Sequence, residues 1–271
     1  KLVVDTPLYS ATFTNVGGGP SQITFKDYET WNHNPVKMIA DTTQSAYSLG
    51  FLTSENFNVE TDQLVFEQLT PGQSLSIAEG DSSQVQYALN ISEDKRLVYT
   101  YTLYGDSHQI KLDIDFQGLQ RDIIGGSFDF GWEPGLNFTE KNPETTESAY
   151  ASSYVYTGGE MEQLKLSEGG RNTQDYNGDI DWVSTRTKFF AQIIKTPNNT
   201  EGALLVGEQT GATENVSTEH HYQSYITTDM NREGSASFHM FVGPLSYHAL
   251  QDYDGQAYNM VDTGYSWLSW I

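Results

Sequence analysis

Residues 97–116 read LVYTYTLYGDSHQIKLDIDF. Leu97, Tyr99, Tyr101 and Leu103 alternate with Val98, Thr100, Thr102 and Tyr104, the period-two pattern of a strand with one buried face. Gln109 to Phe116 is a second strand, and Gly105-Asp106 supplies the turn between them, so the stretch is a hairpin. Upstream, Leu8–Phe13 and Gln22–Phe25 flank the turn Gly17-Gly18-Gly19, followed by Tyr47–Leu52, Leu64–Leu69 and Val85–Leu89. Downstream come Ser127–Trp132, Tyr150–Tyr156, Lys188–Ile194, Ala203–Val206, Tyr222–Thr227 and Ser235–Val242. About a dozen short runs separated by turn residues predict an all-β chain, a large antiparallel sandwich. Residues 133–148, polar and with two prolines, read as an exposed loop.

The end of the chain departs from this pattern. Gly243-Pro244 stops the last strand, and Leu245, Ala249, Leu250, Tyr253, Ala257, Met260 and Val261 recur at helical spacing. This predicts one C-terminal helix over Leu245–Val261, although Gly255 weakens it by about 1 kcal/mol. Tyr265, Trp267, Leu268, Trp270 and Ile271 then place five large apolar residues in seven positions. Such rings favour a membrane–water boundary, so these five are candidate membrane-interface residues. The expected division is a β body over 1–244 and a helix plus interfacial segment over 245–271.

The 271 residues carry 14 Lys and Arg against 36 Asp and Glu, a formal charge of −22. Such a chain repels nucleic acid and anionic headgroups, and no nucleic-acid partner is expected. Cysteine is absent, which removes disulfides and thiolate chemistry. No apolar run reaches the roughly 18 residues of a membrane span. The chain opens on Lys1 rather than Met and is expected to be a segment of a longer protein.

Three motifs carry a family resemblance. Phe241-Val242-Gly243-Pro244, a helix, then Val261-Asp262-Thr263-Gly264-Tyr265-Ser266-Trp267-Leu268-Ser269-Trp270-Ile271 resembles the end of the large periplasmic domain of the YidC membrane protein insertase family. Trp182-Val183-Ser184 with Lys188-Phe189-Phe190-Ala191-Gln192 and Pro197 is similar to a strand motif of that family, with Phe189 where Tyr is usual. Thr12–Phe25 resembles its opening glycine turn. The resemblance implies a β-supersandwich of the galactose mutarotase-like type on the periplasmic side of the bacterial inner membrane. It implies a non-catalytic domain without cofactors, in a multi-pass protein that inserts and folds nascent membrane proteins alone or with the Sec translocon, SecDF and SecYEG. The insertion chemistry would reside in transmembrane helices, the second of which would follow soon after Ile271. The competing reading is a secreted carbohydrate-binding or aldose-epimerase-like sandwich.

Residue types alone offer few sites. Glu219-His220-His221 sits on a strand, where neighbours face opposite ways, so it is a poor chelator. Asp175–Asp181 resembles a calcium loop but has Ile180 where glycine is needed and Arg186 where a glutamate is, which favours an Asn-Gly turn. Epimerase chemistry needs a histidine and a carboxylate; Glu133 and Glu208 could pair with some histidine, but no spacing singles out a pair. Trp31, Trp132, Tyr154 and Tyr156 could line a cleft. The stretch Tyr150–Leu166, with strand character broken by Gly158-Gly159, could form a sheet edge, and Tyr154 and Tyr156 on it are the partner-docking candidates, with a translocon subunit such as SecF as partner.

Overall fold

The computed structural model describes residues 1–39, 43–135, 137–166, 170–210 and 219–261. Three sheets build it. The largest has nine strands in the order Glu160–Leu164, Ser152–Thr157, Ile180–Arg186, Phe190–Lys195, Ser235–Pro244, Gln109–Gln117, Arg96–Tyr104, Ser82–Asn90 and Glu67–Gln68. The hairpin of residues 97–116 lies within it, with Leu97 opposite Phe116 and Leu103 opposite Ile110. A six-stranded sheet runs Gly170–Asn177, Thr200–Thr210, Glu219–Asp229, Ser127–Trp132, Tyr47–Leu52, Asn58–Glu60. A five-stranded sheet runs Pro35–Lys37, Gly19–Glu29, Tyr9–Thr14, Leu2–Asp5, Ser74–Ser76, its last pair parallel and every other pairing antiparallel.

The alternation read from sequence decides the core. Leu97, Tyr99, Tyr101 and Leu103 are at most 2% exposed, and their ring and branched side chains meet the other sheets. Phe238 stacks on Phe130 at 4.1 Å between the nine- and six-stranded sheets, and Phe116 meets Phe128 at 5.0 Å. Phe13 of the five-stranded sheet meets Tyr101 edge-on at 5.2 Å. Each buried ring is worth about 2–3 kcal/mol relative to exposure, and each ring pair adds about 1 kcal/mol. Gln192 Nε2 donates to Ser224 Oγ at 2.9 Å across the sandwich, joining two buried polar side chains in the core.

The family motifs have physical reasons. A Cβ at Gly243 would lie 2.8 Å from the Phe241 ring and 2.9 Å from that of His108, so the strand end admits only glycine there. Trp182 is fully buried and stacks on Tyr156 at 5.4 Å. It belongs to a second apolar cluster with Tyr154, Ile193, Phe241, Leu250, Tyr253, Ala257 and Met260, which fastens the C-terminal elements to the nine-stranded sheet.

The single helix expected over Leu245–Val261 is two short elements. An α-helix covers Tyr247–Tyr253, capped by Ser246 Oγ accepting from Ala249 N, and a 3-10 turn covers Ala257–Met260. Asp254 between them is extended, and its Oδ1 accepts from Gln256 N at 2.9 Å, a local turn that competes with helix continuation next to Gly255. The apolar face survives the break: Tyr253 Oη donates to His239 O at 2.6 Å, and Arg186 donates from Nη1 to Met260 O and from Nε to Tyr150 O at 3.1 Å. The stretch 133–148, expected to be an exposed loop, contains a short helix, Pro143–Thr146, and a fully buried Glu147 whose Oε2 accepts from Thr139 N and Glu140 N.

Candidate functional site

Strand alternation gives the six-stranded sheet a polar outer face. Phe128, Phe130 and Trp132 point into the core, which turns Asp129, Gly131 and Glu133 outward. Tyr47, Leu49 and Phe51 likewise leave Ser48 and Gly50 on that face. The result is a cleft of about 650 Å³ whose walls hold the carboxylates Glu60, Asp62, Asp129, Glu133, Asp175 and Glu201 against one cation, Arg171.

Two glycines shape its floor. A Cβ on Gly131 would lie 2.2 Å from the Tyr225 ring, so its absence lets that ring lie on the sheet. A Cβ on Gly50 would lie 2.7 Å from a Glu60 carboxylate oxygen. Tyr225 is hydrogen-bonded to Glu133, and burial followed by the charge of Glu133 holds its phenol well above the usual range. Burial raises Glu133 first; the Tyr225 bond opposes this, and Asp62 and Glu60 add to it. Glu60 is raised by burial, opposed by its Asn58 bond, and raised again by Asp62 and Asp129. Ser48 Oγ is buried on this face and has no hydrogen-bond partner among the described residues. The cleft therefore presents acceptors and crowded negative charge. It suits hydrogen-bond donors and cations, and its lining among the described residues includes no histidine.

The residues singled out from sequence do not converge. Glu133 is in the cleft; Glu208 is not among its lining residues, and Trp132 is core. Trp31 is 56% exposed beside a different groove. His220 packs near Phe138 with ring centroids 6.1 Å apart, while strand alternation turns His221 away. Asn177-Gly178 is the turn after Gly170–Asn177, with Gly178 at φ +109°. The strand carrying Tyr154 and Tyr156 is paired on both sides, so it is not a sheet edge. Tyr154 is 6% exposed, its Oη accepting from Gln163 Nε2, and Tyr156 lies on Trp182. The edge is the next strand, Glu160–Leu164. Tyr265, Trp267, Leu268, Trp270 and Ile271 lie outside the described residues. Glu60, Asp62, Asp129 and Glu201 were missed, and Asp175 was read only as part of a turn, because no short motif joins these acids. The available signal was the polar half of each alternating strand.

The fold has distant likenesses among solved structures. A putative aldose 1-epimerase of Escherichia coli K12 superposes with a TM-score of 0.52 over 90% of this chain and 98% of its own, at 8% identity. A bacterial glucoamylase complexed with acarbose gives 0.54 over 98% of this chain and 34% of its own, also at 8% identity. At such identity the likeness shows the galactose mutarotase-like sandwich and nothing of activity. Curated relatives are much closer. The membrane protein insertase YidC of Chlorobium phaeovibrioides is 26% identical over 276 residues, covering 99% of this chain and 46% of the relative. That of Chlorobium luteolum is 27% identical, covering 98% and 46%. The chain thus spans about half the length of the curated relatives it matches. The family model for the YidC periplasmic domain matches residues 1–271, and the chain belongs to that family.

Proposed function

We propose that this chain is the non-catalytic periplasmic domain of a YidC-type insertase, a scaffold and docking surface for the insertion and folding of membrane proteins at the inner membrane. The observation that carries the reading is the family match over the whole chain. The acidic cleft gives it a surface: extended, cationic or hydroxyl-rich segments of a nascent membrane protein, or of SecDF or SecYEG, find acceptors there. The outer edge of Glu160–Leu164 is a second docking surface, open to strand addition. Residues 245–271 carry the chain toward the bilayer, with Tyr265, Trp267, Leu268, Trp270 and Ile271 at its surface.

Photo-crosslinking side chains at Thr227 in the cleft, Glu162 on the edge strand and exposed Glu79 as control, in the full-length insertase in its membrane, test the docking surfaces. Adducts with nascent membrane proteins or translocon subunits are expected at the first two. Labelling at Glu79 equal to that at Thr227 would remove the cleft from this role. The sandwich's likeness to a putative aldose 1-epimerase keeps one other reading in view. Mutarotation of glucose or galactose anomers above background, lost in Glu133→Gln, would favour it over a docking role.

A further inference from the structure

Beyond the cleft, one end of the sandwich carries a groove of about 750 Å³ between the strand Gly19–Glu29, the stretch 139–146 and the Pro244–Ser246 corner where the C-terminal elements begin. Four rings, Tyr28, Trp31, Phe189 and Phe190, supply most of its apolar side chains, with Pro244 and Leu245 beside them. Trp31 is 56% exposed, Phe189 39% and Tyr28 37%, and Tyr247, one residue past the wall, is 48% exposed. Among the described residues, Tyr28, Trp31 and Tyr247 are all the Trp and Tyr side chains found among the exposed large hydrophobics. The aliphatic exposures, such as Val65 and Ile91, are scattered elsewhere. Rings with an apolar body and a polar tip are thus sorted to one end.

The charge at this end is also distinct. Glu29 and Glu140 are matched by Lys141 and Lys188 among the lining residues, in a chain of net charge −22. Lys188 pairs with Glu140 at 3.0 Å, its Nζ 4.8 Å above the Phe189 ring, and Lys141 Nζ lies 5.5 Å above Trp31. Half-exposed rings with lysine ammonium groups over their faces set charge directly beside apolar surface, a mixture that suits a water–hydrocarbon boundary. A neutral patch is also the part of an acidic surface that a membrane repels least. The patch adjoins the C-terminal elements, which lead to Tyr265–Ile271.

From these observations we propose that this groove and its rim, Trp31, Phe189, Tyr28 and Tyr247, form a bilayer-contacting surface of the folded domain, seated at the headgroup level of a zwitterionic membrane. The proposal rests on the reading that the C-terminal end faces the bilayer, and the experiment separates the two. The 271-residue chain is tethered by a C-terminal histidine tag to phosphatidylcholine vesicles containing a nickel-chelating lipid, with or without bromine on the acyl chains. In Trp267→Phe/Trp270→Phe, Trp31 is the exposed reporter, because Trp132 and Trp182 are fully buried. Its emission is expected to shift blue, to be quenched by brominated lipid and to become inaccessible to iodide. A Trp31→Phe chain reports Trp267 and Trp270 in the same way. Without a tether, Trp31→Ser/Phe189→Ser is expected to partition into vesicles about tenfold less than the parent. Quenching of Trp267 and Trp270 while Trp31 stays dark to bromine and open to iodide would overturn the proposal and leave the terminal segment at the membrane. Absence of quenching at all three would overturn both. Crosslinking of position 31 to a protein instead of lipid would assign the groove to a protein partner and likewise overturn it.

Discussion

His108 gives the sharpest test of the packing. Its ring sits against Tyr9, Phe25 and Phe241 at centroid separations of 6.2, 5.6 and 6.1 Å. Burial pushes its pKa down to about 4, the nearby Asp27 charge opposing only in part. The unfolded chain, with an ordinary value near 6.5, takes up a proton that the native ring refuses. A depressed folded-state pKa therefore means that stability is intact above about pH 6.5 and is lost as pH falls toward 4. Between pH 7.5 and 5 the mismatch runs over about one and a half pH units at about 1.4 kcal/mol each, or about 2 kcal/mol. The raised carboxylates Glu60 and Glu133 act in the opposite sense, gaining relative stability as pH falls, so the whole-protein slope mixes several groups. Replacing His108 by Phe isolates one of them, because the carboxylates are common to both proteins and any static repacking cost is the same at both pH values. Urea unfolding of parent and His108→Phe at pH 7.5 and 5, at fixed ionic strength, should show the parent losing about 2 kcal/mol more than the variant. Equal losses would mean that the ring is solvated and protonates in the native state, and the placement of His108 against Gly243 would be wrong.

Three further outcomes follow from single contacts. Gly131→Ala pushes a Cβ into the Tyr225 ring and should destabilise by about 2–3 kcal/mol in urea unfolding; a change under about 0.5 kcal/mol would show that the ring does not lie on that strand. Arg186→Met breaks the bonds to Met260 O and Tyr150 O and should cost about 2–4 kcal/mol, with hydrogen exchange of 247–261 rising more than that of 97–116; uniform protection would disprove the clamp. Glu147→Ala strands the Thr139 and Glu140 amides, so proteolysis near 137–147 should speed up at least tenfold, and an unchanged cleavage rate would contradict the buried acceptor.

What sequence could reveal depended on whether information was local. The hairpin at 97–116 was legible because its alternation and turn lie within twenty residues, and the register follows from them. Strands such as Gly170–Asn177, mostly exposed and polar, were not, since their pairing with Thr200–Thr210 is decided by the partner rather than by an apolar face of their own. The break in the C-terminal helix was half visible: Gly255 was marked as a weakness, but the Asp254 side chain capturing the Gln256 amide is a three-residue geometry that periodicity does not register. Glu147 was lost inside a polar run, because nothing local says that two amides from residues 139 and 140 fold back onto it. The cleft acids come from four separate stretches, residues 60–62, 129–133, 175 and 201, so only the assembled sheet makes them neighbours.

The cleft and the aromatic groove share no lining residue. Their charges also differ, six carboxylates against one Arg in the cleft and a two-against-two balance in the groove. Each surface can therefore be altered without the other. If the domain docks protein segments through the cleft while resting on lipid through the groove, Trp31→Ser/Phe189→Ser should weaken vesicle binding and leave crosslinking from Thr227 unchanged. Asp129→Asn/Glu133→Gln should do the reverse, and its effect should shrink at high salt because the exposed Asp129 charge is screened over about 10 Å at 0.1 M. With vesicle binding measured on the 271-residue chain and crosslinking in the full-length protein, the two variants distinguish separate surfaces from one continuous face. Loss of both readouts in either variant would mean that the surfaces act as one.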